Sequence, residues 1–400
     1  MDRSSGENAA ATAATPVERA RALKPRLAEY AAQCEREGRI AEPVLAGLKA
    51  ARLFLMTAAK RGGGEGASMR AYVDTFAEIG RTCPSTAWAS GILSSVTSFA
   101  ASLPSHQTRL LFEKGDELAC IASSKTGVAR PTDGGFLVTG QWAYGSGCLH
   151  ADWAYCGVKI LGGDGAEVGP GSAFVRLSDR QRVRIQSDWQ VCGLSGSGSN
   201  SIQADNHFVP LDLVMQDSDR GASLKDTPAS ELENRDLWPV GPLGPLTVLP
   251  GMLGAAEGLL ESVTTKMNSR SVVGWRYARQ SDSELLLGML GTAAIQIDSA
   301  WMHVGRACDT VDLVAPNRTV SHLELAKVQV DCGYAMRLLR EAASTLMDIG
   351  GPGAFALSNG MQRYWRDLNI GSRHNALNSA LSLELYGRAL TGRESNTFLF

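Results

Sequence analysis

The spacing of apolar residues changes twice along this chain. From Pro16 to about Glu113 they recur every three or four positions, with Val17, Ala20, Leu23, Leu27, Tyr30, Ala31 and Cys34 on one helical stripe. Val44, Leu45, Leu48 and Leu53 repeat the pattern over 42–55. After the break at Gly62-Gly63-Gly64, further helices are predicted over 68–81 and 85–102, the second opening on a Pro-Ser-Thr start signal. Near Glu117 the period drops to two. Strands are predicted over 118–121, 135–142 and 153–158, with a hairpin-type turn at Asp133-Gly134-Gly135, and shorter strands over 173–177, 183–188 and 201–209. After Trp238 the helical period returns, over 251–269, 283–311, 321–349 and 375–392, with a shorter run at 352–368.

Helices, then strands, then helices again imply an α+β chain that is mainly α, and the missing βαβ alternation argues against a Rossmann sheet. The boundaries fall at 16–115 for an N-terminal helical domain, 116–236 for a central β domain and 237–400 for a C-terminal helical domain. A chain of 400 residues can bury two or three cores, since single cores stop growing near ~250–300 residues. Residues 1–15 are rich in Ala, Ser and Thr, lack the apolar centre of a signal peptide, and read as a disordered leader. The uncharged stretch 239–256 is long enough to suggest a membrane span. Its four prolines, Pro239, Pro242, Pro245 and Pro250, cannot share one regular helix, so an extended lead-in loop and a buried helix from about Pro250 are expected.

Charge narrows the function. A net charge of −2 leaves no basic footprint for nucleic acid or anionic lipid, so neither partner is expected. The eight cysteines are scattered without a CxxC pair, which reads as reduced thiols in a cytoplasmic protein. The six histidines show no HxxxH or HExxH spacing, so no metal is expected.

Few motifs carry chemistry by themselves. Gly193-Leu194-Ser195-Gly196-Ser197-Gly198-Ser199 suggests a phosphate cradle, but it lacks GxGxxG and GK[ST] and precedes a strand; a flexible turn fits as well. No GxSxG elbow supports a hydrolase. Trp142-Ala143-Tyr144-Gly145-Ser146-Gly147-Cys148 ends a strand with two aromatics and a serine in a glycine bend, which is either a pocket wall or a plain turn. His374, between two helical runs, is either a structural cap or a proton carrier suited to neutral pH.

Taken together, four stretches resemble the acyl-CoA dehydrogenase superfamily, in its branch of two-component flavin-dependent monooxygenases. They are 37–40, Arg81-Thr82-Cys83-Pro84-Ser85-Thr86-Ala87-Trp88, 140–148 with His150-Ala151-Asp152-Trp153, and Gln362-Arg363-Tyr364-Trp365-Arg366-Asp367-Leu368 with Ser372-Arg373-His374. The resemblance covers about 18–392 and implies an N-terminal helical domain, a central β-barrel and a C-terminal four-helix bundle assembled as a homotetramer. It implies reduced FMN or FAD delivered by a separate NAD(P)H-dependent flavin reductase. The reduced flavin would react with O2 to a C4a-hydroperoxide that hydroxylates an aromatic or polycyclic small molecule, such as a polyketide of secondary metabolism. Ser146 matches the serine near flavin N5, with Gly147 beside it, and His374 matches the acid/base near flavin and substrate. Trp142 and Tyr144 are expected to wall the ring, and Arg270 or Arg276 to meet the flavin phosphate across a subunit boundary.

Two departures shape the expectation. Neither family location for a catalytic glutamate carries an acid here, one falling in 373–378 and the other in 239–256, which disfavours acyl-CoA dehydrogenation. A histidine common in oxygenase relatives is replaced by Val96, pointing to a substrate other than a simple phenol. N-oxygenation of an amine, acyl-CoA dehydrogenation and a non-catalytic assembly role stand as alternatives.

Overall fold

The computed structural model describes residues 14–219 and 231–397, so the expected leader lies outside it apart from its last two residues. Helix α1 (Pro16–Ala22) opens on a capping box in which the Glu18 carboxylate accepts from the Thr15 amide at 2.8 Å. The apolar stripe predicted as one helix divides at Leu23, where α2 (Lys24–Glu37) begins with Pro25 in its first turn. Helices α3 (Glu42–Ala50), α4 (Met69–Gly80) and α5 (Pro84–Ala101) follow at the predicted places, and the short α6 (Ser105–Leu111) was not foreseen.

Helix α5 is buried almost all round. Its small residues make that possible, because they let neighbouring elements approach and their hydroxyls bond to backbone. Ser90 Oγ donates to Thr86 O at 2.6 Å, Ser94 Oγ to Leu53 O at 2.7 Å, and Thr97 Oγ1 accepts from the Ala119 amide at 2.9 Å. The last bond ties α5 to the sheet.

The strands β1 (Ala119–Thr132), β2 (Gly135–Gly145), β3 (Trp153–Leu161), β4 (Glu167–Arg176), β5 (Val183–Ile185), β6 (Asn200–Pro210) and β7 (Val214–Gln216) form one sheet ordered β5-β6-β2-β1-β3-β4-β7. Only the β1–β3 pair is parallel among these neighbours. The sheet curls until β4 meets β6, where His207 Nε2 accepts from the Arg176 amide at 3.2 Å. Strand β1 runs far beyond the four residues predicted for it. Its polar run 123–127 crosses a register shift between Ala122 and Gly127, so the alternation that marks a strand is lost there. The hairpin at Asp133-Gly134 is as expected, with Gly134 at φ 73°.

Trp142 corrects the sequence reading. Its side chain is fully buried inside the curled sheet, with Nε1 donating to Gly157 O at 2.7 Å, so it packs the barrel and walls no ligand ring. Glycine is required opposite it, since a Cβ at Gly127 would sit 2.2 Å from the indole. Gly127→Ala should cost about 1–3 kcal/mol by overpacking, seen as a lowered urea midpoint at unchanged slope. An unchanged midpoint would mean the barrel yields there.

After the strands come α7 (Asn234–Leu237), α8 (Val240–Val248), α9 (Pro250–Met267), α10 (Glu284–Asp309), α11 (His322–Gly350), α12 (Met361–Gly371) and α13 (Ser379–Leu390). The long α11 packs against α9, α10 and α13 to make the bundle, with α12 wedged beside α9 and α11. The lead-in expected as an extended loop is helical in α8. Pro239 is its N-cap, Pro242 falls in the first turn where no amide bond is needed, and Pro250 starts the next helix. Pro245 alone falls inside α8, and the other three mark helix starts, so the stretch is helical in spite of them. The predicted run 375–392 likewise divides, with a single turn Asn375–Leu377 before α13, whose N-cap Asn378 accepts from the Ala380 amide at 3.0 Å.

Candidate active site

The end of β2, the turn before β6, the middle of α5 and the link between α12 and α13 converge on one cluster. At its centre is Trp88 on α5. The indole Nε1 donates to Ser146 Oγ at 3.3 Å, and the ring lies edge-on to His374 with centroids 5.5 Å apart and planes at 70°. Trp88 therefore joins the two residues that the sequence singled out separately.

Ser146 sits in a bend that the sequence dictates. Tyr144, at φ 64°, accepts from the Ser146 amide through its carbonyl at 2.9 Å. Gly147, at φ 77°, leaves no room for a side chain, because a Cβ would be 2.8 Å from Leu93. Its amide donates to Ser197 O at 2.9 Å, which clamps this bend to the 193–199 turn. Ser146 Oγ and Ser199 Oγ are 2.7 Å apart, Ser199 Oγ and Ser197 Oγ are 2.7 Å apart, and Ser197 Oγ donates to Leu194 O at 2.6 Å. All three hydroxyls are buried.

The glycine-rich segment is therefore no flexible turn. It contains a tight turn, Ser195–Ser197, entered through Leu194 at φ 54° and held from behind by Asp367 of α12. Asp367 accepts from the Leu194 amide at 2.6 Å and from Ser85 Oγ at 2.8 Å. Burial pushes its carboxyl up to about 6, against the pull of those two donors. Arg366 next to it bonds to Glu35 and to Cys192 O, fastening α12 to α2 and the same segment.

His374 caps the Asn375–Leu377 turn, with Nδ1 accepting from the Ala376 amide at 3.2 Å. The neutral ring therefore carries its proton on Nε2, an assignment made from that bond. Solvent reaches the residue on one side, yet enough protein surrounds the ring that desolvation holds its pKa below the ordinary histidine value. Cap and proton carrier, set against each other in the sequence, coincide here.

Of the other expected residues, Tyr144 borders the cluster and the two arginines lie outside it. Tyr144 is 72% exposed at the mouth of the bend, edge-on to Trp189 at 6.1 Å. Arg270 and Arg276 stand in the linker between α9 and α10, outside the Trp88 cluster within this chain. Val273 and Trp275 of that linker are 92% and 73% exposed. Val96 is buried in α5, two turns beyond Trp88. Ser197, Ser199 and Asp367 were missed as site residues. Asp367 and Trp88 stood in stretches that carried the resemblance, but nothing in the sequence says which of those positions meet. Among the described residues no carboxylate hydrogen-bonds to Trp88, Ser146 or His374.

The cluster offers an aromatic edge, one buried hydroxyl and one imidazole N–H beside an exposed tyrosine, which suits a planar ligand with polar edges. Comparison with known proteins agrees. Sequence profiles for the acyl-CoA dehydrogenase N-terminal and C-terminal domains match residues 18–103 and 246–379. The oxygenase subunit HsaA, a flavin-dependent monooxygenase of Rhodococcus jostii, is 29% identical over 93% of this chain and 97% of its own. An FADH2-dependent resorcinol hydroxylase oxygenase component from a Rhizobium species is 27% identical over 91% of each chain. The structure of XiaF from a Streptomyces species, in complex with FADH2 and glycerol, superposes with a TM-score of 0.90 over 98% of both chains at 29% identity. The chain belongs to the acyl-CoA dehydrogenase superfamily, in its branch of oxygenase components of two-component flavin-dependent monooxygenases.

Proposed function

We propose that this oxygenase hydroxylates an aromatic or polycyclic phenol, with Ser146 and His374 as its working polar groups. The observation that carries this reading is Trp88, which holds both within one cluster. Bound reduced FMN or FAD supplies the electrons that activate O2. Ser146 Oγ would offer a lone pair to flavin N5–H, with Gly147 beside it, and the exposed Tyr144 would cover the outer side of the ring. His374 presents Nε2–H to the substrate's oxygen and favours its ionised form, which makes the adjacent ring carbon electron-rich. The names of the relatives, a resorcinol hydroxylase among them, support an aromatic substrate. Among the described residues Asp367 is held behind the 193–199 turn and no carboxylate bonds to Trp88, Ser146 or His374, which counts against acyl-CoA dehydrogenation. Valine at position 96, buried in the core, offers no polar group to a substrate, in keeping with a larger, less polar ring system.

We also infer an assembly of several copies, with the four-chain form expected. Helix α10 turns Leu285, Ile295 and Met302 outward, and Val273 and Trp275 precede it. The described residues include two helical stretches apolar enough to cross a membrane, 240–267 and 284–314. The first is mostly covered within the fold; covering the second with another copy would bring a linker carrying Arg270 or Arg276 towards a neighbouring site. Buried thiols suit the cytoplasm, where the flavin reductase draws on NAD(P)H.

Anaerobic titration with photoreduced FMN and FAD, followed by mixing with O2, tests the reading. Saturable binding and a transient absorbance distinct from both flavin redox states are expected. Direct reoxidation with no transient would sink oxygenation, and bleaching of a bound oxidised flavin by an acyl-CoA would restore the dehydrogenase.

A further inference from the structure

The hydroxyls behind Ser146 decide what that residue can offer a ligand. Leu194 O can only accept, so Ser197 spends its single proton there, at 2.6 Å. The 2.7 Å contact between Ser197 and Ser199 must then be filled by the proton of Ser199. With that proton spent, the 2.7 Å contact between Ser199 and Ser146 takes the proton of Ser146. On the other side Trp88 Nε1, which can only donate, occupies one lone pair of Ser146 Oγ at 3.3 Å. A hydroxyl has one proton and two lone pairs. Ser146 is left with one free lone pair and nothing to donate.

We propose that Ser197 and Ser199 are positioning residues that hold Ser146 as an acceptor only, and that this fixed polarity is the source of the site's preference for reduced over oxidised flavin. The proposal rests on the flavin reading above. N5 of a reduced flavin carries hydrogen and donates; N5 of an oxidised flavin has a lone pair and can only accept. An acceptor-only Ser146 completes a bond with the first and sets lone pair against lone pair with the second. The direction comes from Leu194 O, two residues removed from the ligand, and Leu194 is in turn fixed by Asp367. A monooxygenase supplied with reduced flavin by a separate enzyme gains twice from such polarity. Oxidised flavin in the surrounding pool competes poorly for the site, and spent flavin leaves after turnover.

The test uses the full-length protein in anaerobic equilibrium dialysis with FMN and FAD in both redox states, and the reduction potential of the bound flavin. The wild type should bind the reduced form at least about tenfold more tightly, the worth of one net hydrogen bond. In Ser197→Ala, Ser199 is free to turn its proton towards Ser146, which releases the Ser146 proton for the ligand. The ratio of the two dissociation constants should fall about tenfold, equivalent to ~30 mV in a two-electron potential, while reduced flavin still binds. Ser199→Ala frees the Ser146 proton directly and should do the same, whereas Ser197→Thr keeps the hydroxyl and should keep the ratio. Circular dichroism checks that each variant folds, and if one alanine variant fails to fold the other carries the reading. Equal wild-type affinities overturn the proposal, as does a ratio that survives either folded alanine variant. A wild type that binds neither redox form overturns the flavin reading itself, which is a separate outcome.

Discussion

His374→Ala is expected to lower coupled hydroxylation about a hundredfold while reduced-flavin binding stays intact, within the range that a positioned proton donor or acceptor contributes. The ring touches Trp88 by its edge and holds the Ala376 amide through Nδ1, so only Nε2–H is free for a substrate. Losing it leaves the phenol oxygen without its donor, and O2 consumption then yields hydrogen peroxide in place of product. The measurement is product formed per O2 consumed. His374→Asn separates two roles that alanine cannot. An asparagine oxygen can still cap the Ala376 amide and its Nδ2 can still donate, but it accepts no proton at neutral pH. Substantial rescue by asparagine fits a donor role, and asparagine as poor as alanine would make His374 a base instead. The pH profile gives a second reading. Desolvation lowers the His374 pKa, so the neutral ring persists below the ordinary value of ~6.5. Activity should therefore be kept on acidification past that value and lost only further down, where Nδ1 gains a proton and releases the Ala376 amide. Loss already above pH ~6.5 would assign the acid limb to another group.

What the sequence revealed follows from which interactions are periodic. Helices α4, α5, α9 and α11 came out nearly to the residue, because each starts on a proline or a hydroxyl cap that the sequence shows. β1 came out short because its polar centre crosses a register shift. The lead-in before Pro250 is helical where a loop is expected, because counting prolines ignores where in a helix each one falls, while the helix from Pro250 is as expected. Trp142 and Tyr144 belong to the same strand end, yet one fills the barrel and the other faces out, and the register shift in between hides which is which. At the site, Ser146 and His374 were legible through the resemblance alone. Ser197, Ser199 and Asp367 were not, since Ser199 meets Ser146 across 53 positions and Asp367 meets Leu194 across 173. A turn of small polar residues reads as flexible until its partners are known.

Asp367→Ala should be among the most damaging changes at a position that touches no substrate. Removing the carboxylate leaves the buried Leu194 amide without an acceptor, about 1–3 kcal/mol by itself, and strands the Ser85 hydroxyl as well. Leu194 holds φ 54°, a conformation that costs a side-chain-bearing residue energy and persists only while its surroundings enforce it. Without Asp367 the 193–199 turn should relax, taking Ser197 and Ser199 with it, so a lower Tm should come with weaker binding of reduced flavin. Asp367→Asn distinguishes the bond from the charge, because its amide oxygen accepts from Leu194 and its amide nitrogen donates to Ser85 Oγ. The carboxyl is raised from an ordinary value near 4 to about 6, so the folded state binds this proton more tightly than the unfolded chain does. Its stabilising contribution is complete below pH ~4 and is lost as pH rises towards 6, a change of order ~3 kcal/mol. Urea unfolding from pH 4 to 7 should show that decline in the wild type and a flatter profile in Asp367→Asn, with the variant at least as stable at pH 7. An asparagine variant that keeps the wild-type slope would place the proton on another group. One that loses flavin binding as fully as alanine would mean that the charge, and not the bond to Leu194, holds the turn.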